Sequence, residues 1–296
     1  MIMTAKDKIL GIADEIINKF KLLSIDEKEL AISDYKHDNN CFKALSCDFL
    51  FTRDKSDAHD KLSSMLIDGY EKLSSDIKKE FKRDFFRNVE KRCPFCGQLL
   101  ETSGKSASDV PTADLDHFFP KHQYPQFALN PQNLIPTCME CNRIEKHIKT
   151  ITPHEFKEAL ENLKLYKAFE KHPESHFKIY NALDYDFNSS NIINSENKSV
   201  LRLVSLYGLE ERFRNIKNKS FNILLNIVRN FEIKTPESLE RFLENMASSN
   251  WHEINDGYSL NNSPQIWQEF IESILYDECK LMALWDEVKS MNMSIF

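Results

Sequence analysis

Apolar residues recur at three- and four-residue intervals from position 1 to about 90 and again from about 152 onwards, the spacing that lays one apolar stripe along an α-helix. The stretch 62–91, LSSMLIDGYEKLSSDIKKEFKRDFFRNVEK, carries this period most clearly and predicts one long or slightly broken helix. Start signals punctuate the rest. Ser24-Ile-Asp-Glu27 has the S-x-x-E form of a capping box, in which hydroxyl and carboxylate satisfy backbone N–H groups orphaned at a helix start. Thr152-Pro153, Thr235-Pro236 and Ser263-Pro264 each read as an N-cap followed by proline at the first helical position. The polar stretch 185–199, YDFNSSNIINSENKS, predicts a mobile loop or a short strand connection.

Between Cys93 and about Lys149 the helical period is lost, and Gly97, Gly104, Pro111, Pro120, Pro125, Pro131 and Pro136 crowd the chain. The expected fold class is therefore mainly α, with helical regions at 1–88 and 152–296 around a small insert at 89–151. Only 6 Gly and 10 Pro against 21 Phe also disfavour an all-β chain, which needs turn residues at short intervals. The amphipathic opening MIMTAKDKILGIADEIINKF lacks the unbroken core of a secretory signal, and no charge-free run approaches the roughly 18 apolar residues that span a bilayer. A soluble, cytoplasmic protein is expected.

Charge changes the picture by its distribution. The net charge of −7 gives no whole-molecule footprint of nucleic-acid binding. Residues 77–92, however, hold seven Lys/Arg against three Asp/Glu, a balance of +4, while 235–290 hold eleven acids against three basic residues, a balance of −8. The positive charge adjoins the insert and the acidic surplus lies far from it in sequence.

Seven cysteines include two C-x-x-C pairs, Cys93/Cys96 and Cys138/Cys141. In a reducing compartment this spacing suits a metal better than disulfides, and four thiolates suit a closed, structural zinc site with Zn–S distances of about 2.3 Å. Cys41, Cys47 and Cys279 stand apart and read as buried small hydrophobes. Between and after the pairs lie Asp116-His117, the extended run Asn133-Leu-Ile-Pro and Asn142-Arg-Ile-Glu-Lys146, the last opening a helix directly after Cys141.

This set resembles the HNH endonuclease family, whose order C-x-x-C, D-H, N-L, C-x-x-C-N-x-x-x-K is met by CPFC, LDH, NLIP and CMECNRIEK over about sixty residues. The resemblance implies a zinc-bound ββα-metal unit, a β-hairpin carrying the D-H residues and the central Asn with a helix packed on it. Carried over, Asp116 and Asn142 bind a catalytic divalent cation, Mg²⁺ before Mn²⁺ or others, His117 is the general base, and Asn133 orients the hairpin loop and that base. Lys146, four residues beyond Asn142 and so on the same helix face, meets the scissile phosphate. The last ligand slot is His in many members and Asn142 here, as in the zinc-stapled branch.

The chemistry accords with these residue types. Phosphodiester hydrolysis needs an activated water, a cation to offset growing charge and fixed geometry between them. Asp116 and Asn142 offer one anionic and one neutral oxygen, suited to a hard dication. His117, adjacent on a strand, points to the other side of the backbone, and an ordinary imidazole pKa of about 6.5 suits a base at neutral pH. His122 and His147 match no motif position and read as surface residues, and Phe118, Phe119 and Phe127 as a small core beneath the hairpin.

In layout, a central HNH unit between helical flanks, the chain is also similar to the HNH nucleases of bacterial anti-phage systems such as Septu and related retron modules. That likeness implies a DNA-cutting defence effector of low sequence specificity, with an ATPase partner docked on the acidic C-terminal region. Two other classes stay open, a non-catalytic zinc module that binds nucleic acid or bridges proteins, and a nuclease directed at RNA or structured junctions.

Overall fold

The structure, a computed structural model, describes residues 3–45, 49–52, 56–87, 91–100, 110–147, 149–171, 178–188, 191–229, 231, 233–247 and 264–293. It is mainly helical. Helix α1 (Ala5–Lys21) opens on a capping box in which Thr4 Oγ accepts the Asp7 N–H at 3.2 Å and the Asp7 carboxylate accepts the Thr4 N–H at 3.0 Å. Its apolar stripe, Ile9, Ala13, Ile16, Ile17 and Phe20, is buried against α3 (Asp57–Glu71) and α4 (Ser75–Phe85). Gly69 permits this approach, since a Cβ there would run into Ile16 and Leu129.

The stretch from 62, expected as one long or slightly broken helix, is broken between α3 and α4, where Ser74 caps α4, its Oγ accepting the Ile77 N–H at 3.3 Å. The capping box predicted at Ser24 is not formed. Glu27 adopts a left-handed backbone, φ 59°, directly before α2 (Lys28–Cys41), so the helix starts too late for Glu27 to serve as its third residue. Asp38 of α2 is fully buried and takes the N–H groups of Leu50 and Phe51 at 2.9 and 3.1 Å and Gln126 Nε2 at 2.9 Å.

That last bond reaches the insert. Strands β1 (Asp114–His117) and β2 (Leu134–Thr137) pair antiparallel, with Asp116 opposite Ile135 and His117 opposite Leu134. Phe118, Phe119 and Phe127 lie buried beneath them, as their sequence positions suggested. Helix α5 (Pro153–Asn162) starts on the predicted Thr152 cap, completed by Glu155, and lays Phe156 against Phe118 with ring centres 3.9 Å apart. Short helices α6 (Tyr166–Lys171) and α7 (Ile179–Ala182) follow, and α8 (Lys198–Leu206) packs on α5.

The chain forms two units. One comprises Met1–Cys96, Leu100–Ala182 and Glu196–Tyr207, the other Gly97–Leu99, Leu183–Ser195 and Gly208–Phe296, so the region expected as one body from 152 is shared between them. In the second unit α9 (Leu209–Arg229) packs on α12 (Glu278–Met293), and α10 (Pro236–Ala247) on α11 (Pro264–Leu275). The polar stretch makes a short strand-like connection, Tyr185 bridging Ile193, and the Glu210 carboxylate takes the Ile192 and Ile193 N–H groups at 2.7 and 3.0 Å. Thr235, just before α10, and Ser238 in its first turn cap each other, whereas Ser263 lies outside the described residues. Of the isolated cysteines expected to be buried, Cys41 is half-buried and Cys279 exposed, and Cys47 lies outside the described residues. Among the described residues no helix is long and apolar enough to cross a membrane.

Candidate metal centre and active site

Two turns bring four sulfurs together. The 93–96 turn is held by the Leu100 N–H on the Lys91 carbonyl, 2.7 Å, and by the Ile179 N–H on the Pro94 carbonyl, 2.8 Å. The 138–141 turn follows β2 directly, and the Cys141 N–H points at Cys138 Sγ, 3.4 Å. All four cysteines are buried and their Sγ atoms lie within 4.8 Å of one another. Cys96 and Cys138 Sγ are 3.8 Å apart, close to the edge of about 3.8 Å that four sulfurs at about 2.3 Å from one ion would form. As thiols, Cys96 is held well above its ordinary range by burial and Cys141 by the Cys138 sulfur. Packed so, they ionise together only around a cation, and the cluster could hold a metal ion such as zinc.

Strand alternation separates Asp116 from His117. On one face the Asp116 carboxylate is buried, its Oδ1 2.5 Å from Lys146 Nζ, while its Oδ2 has no hydrogen-bond partner. Lys146 also donates to the His117 carbonyl. Burial pushes the Asp116 carboxyl up and the Lys146 ammonium down, each against the pull of its partner. The Tyr207 hydroxyl faces the same carboxylate without a hydrogen bond of regular geometry, and its ring stacks on Phe95 of the first cysteine turn, centres 3.7 Å apart.

The other face holds His117, 8% exposed, with Nε2 3.0 Å from the Ala128 carbonyl and its ring edge-on to Tyr70 at 4.2 Å. A carbonyl can only accept, so Nε2 carries the hydrogen and Nδ1 keeps its lone pair. Burial, with Lys121, Lys146 and His122 adding to it, lowers this imidazole to about 3, well under the expected 6.5. The ring is neutral throughout the neutral range. Asn133, fully buried, accepts the Phe119 N–H at 2.8 Å and donates to the Phe119 and Phe127 carbonyls at 2.9 and 3.2 Å. It thereby fixes the loop whose next carbonyl, Ala128, orients His117.

Two placements differ from the sequence-based expectation. Lys146 is not at a surface where a phosphate could reach it, being 1% exposed, because the Glu140–Lys146 turn is wound wider than an α-helix, His147 N–H meeting the Asn142 carbonyl five residues back. Asn142 is half-buried and its Nδ2 bonds Asp114 Oδ2 at 3.3 Å, not Asp116. Asp114 also binds Arg143 through both carboxylate oxygens at 2.6 Å. Asp114 and Asp116 share a strand face, so the acid missed from sequence was detectable by its two-residue spacing. Tyr70 and Tyr207, brought in from distant helical segments, carried no such signal. His122 and His147 are exposed, as their sequence context suggested.

The basic segment before Cys93 borders this strand. Lys82 of α4 donates to the Ala113 carbonyl at 2.9 Å, and Lys78 of α4 and Lys121 stand over the Tyr70 ring, 4.9 and 5.0 Å from its centre.

A stretch of 63 residues, 21% of the chain, is 39% identical to Protein ea31 of Escherichia phage lambda and covers 18% of that protein. The chain thus matches well under two thirds of that relative's length. No protein-family model and no solved structure matches the chain.

Proposed function

We propose that the chain is an HNH-type, metal-dependent endonuclease hydrolysing DNA with low sequence specificity, built as a ββα-metal unit stapled by four-cysteine zinc. The observation that carries this reading is the division of β1 into a carboxylate face and an imidazole face, Asp116 with an unpartnered oxygen and His117 with its tautomer fixed by Ala128. The unpartnered Oδ2 makes Asp116 the first ligand of a divalent cation, with Asp114 and Asn142 beside it. Such a cation, when bound, offsets charge growing on the phosphate and the leaving oxygen. His117, with a free Nδ1 lone pair, is the group placed to take the proton of the attacking water, a weaker base than an ordinary imidazole because burial lowers it to about 3, and Asn133 holds the loop that orients it. Lys78, Lys82 and Lys121 favour phosphate backbone nearby, contacts that set position without reading bases. The layout of helical flanks supports a role in anti-phage defence with an ATPase partner.

A second reading, a non-catalytic zinc module, is favoured by one observation, the Lys146 ammonium already seated against Asp116. Supercoiled plasmid incubated with the protein and Mg²⁺, Mn²⁺ or EDTA separates the two. Metal-dependent cutting that His117→Ala and Asp116→Asn abolish, with zinc content unchanged, is the expected result. Cutting that survives both substitutions would remove the site from the argument, and no cutting by the parent under any of these conditions would favour the second reading.

A further inference from the structure

Within the second unit, α9, α11, α12 and Phe187 line an open cavity of about 330 Å³ that the proposed nuclease chemistry does not use. Its wall is apolar, formed by Phe187, Phe221, Phe270 and Ile274, with Phe187 set edge-on to Phe270 at 6.0 Å between centres. Its polar lining is dominated by two cations, Lys217 of α9 and Lys280 of α12. Lys280 is steered over the cavity by Asn188, with Asp277 3.7 Å away. Lys217 is half-buried and held below its ordinary value, first by burial and then by Lys280, whose repulsion outweighs the attraction of Asp186. The hollow is thus mostly hydrocarbon, with the Lys217 ammonium and the Asp277-paired Lys280 ammonium in its lining beside Asn218 and Ser273.

We propose that this cavity binds an amphipathic anion, an acyl or alkyl chain ending in one carboxylate or phosphate, with the chain among the phenylalanines and the head between Lys217 and Lys280. The volume sits at the small end of the usual range for ligand sites, about 300–1,000 Å³. A nucleobase or sugar fits less well, because beside the two ammonium groups the lining offers only Asn218 and Ser273, and the Ser273 hydroxyl already donates to the Phe270 carbonyl at 2.6 Å.

The test uses the full chain and calorimetric titration with hexanoate, octanoate and decanoate below their micellar range, alongside octyl phosphate, octanol and octylamine. Affinity should rise with chain length by up to about fourfold per methylene until the cavity fills, and the uncharged and cationic chains should bind at least tenfold more weakly than octanoate. Lys217→Glu should weaken octanoate about tenfold or more, and Ala283→Trp, which fills the lining from α12, should abolish binding while circular dichroism stays unchanged. Octyl phosphate tighter than octanoate would identify a phosphate head and octanoate tighter a carboxylate, both within the proposal. Equal binding of octanoate and octanol, binding indifferent to both substitutions, or no binding of any anion would overturn it.

Discussion

The Lys146 ammonium stands 2.5 Å from the Asp116 carboxylate, and both side chains are buried. Removing one charge from such a pair strands the other, which typically costs about 3–5 kcal/mol. Lys146→Met should therefore destabilise the chain by roughly that amount in urea unfolding, and the double variant Asp116→Asn with Lys146→Met should recover most of the loss. Lys146→Met should also gain more stability from added Mn²⁺ than the parent does, since Asp116 then has both oxygens to offer. A Lys146→Met midpoint equal to the parent's would show that the pair does not persist in solution.

The acid limb of stability should carry the signature of His117. Folding lowers this imidazole, first by burial, to about 3, while the unfolded chain keeps about 6.5. Between those values the unfolded state binds a proton that the folded state refuses. Stability is thus whole above about pH 6.5 and falls as pH drops towards 3, by at most about 1.4 kcal/mol per unit. His117→Gln should lose that component, read as the difference between the two proteins' urea midpoints across pH 4–7. A histidine resonance for His117 titrating near 6.5 in the folded protein would refute the burial argument.

Asn133 uses both ends of its amide, accepting one N–H and donating to two carbonyls with no exposed surface. Asn133→Ala should cost about 2–4 kcal/mol, and Asn133→Asp at least as much, because a carboxylate cannot donate to Phe119 and Phe127. Equal stability of Asn133→Asp and the parent above pH 5 would contradict these hydrogen bonds.

Zinc should be released at one ion per chain when the four thiols are titrated with a mercurial, and a strong chelator should lower the melting temperature by several degrees or more. Cys138→Ser should lose the metal and the near-ultraviolet signal of the Phe95–Tyr207 stack. Undiminished zinc in that variant would exclude the four-cysteine site.

Local chemistry made part of this molecule readable. The C-x-x-C spacings, the Thr152 cap and the buried phenylalanines each depend on neighbours within a few residues, and the structure places them as their spacing suggests. What escaped depends on distant segments. The depressed proton affinity of His117 comes first from its burial, with Lys121, Lys146 and His122 adding to it against the Ala128 hydrogen bond, and the seclusion of Lys146 comes from Asp116, thirty positions earlier. The Ser24 box failed because backbone at Glu27 turned left-handed, a choice the four-letter pattern does not encode.

The β1–β2 ladder is only four residue pairs long. So short a ladder sets its own alignment weakly, and a shift of one residue turns every side chain to the opposite face. Here such a shift would carry Asp116 to the Tyr70 side and His117 to the Lys146 side. Asn133 just before β2 and Cys138 just after it pin the strand at both ends. Residues outside the Asp116 and His117 surroundings thereby keep each of these two neighbours on its own face, and loosening either pin should let the faces exchange before the protein unfolds.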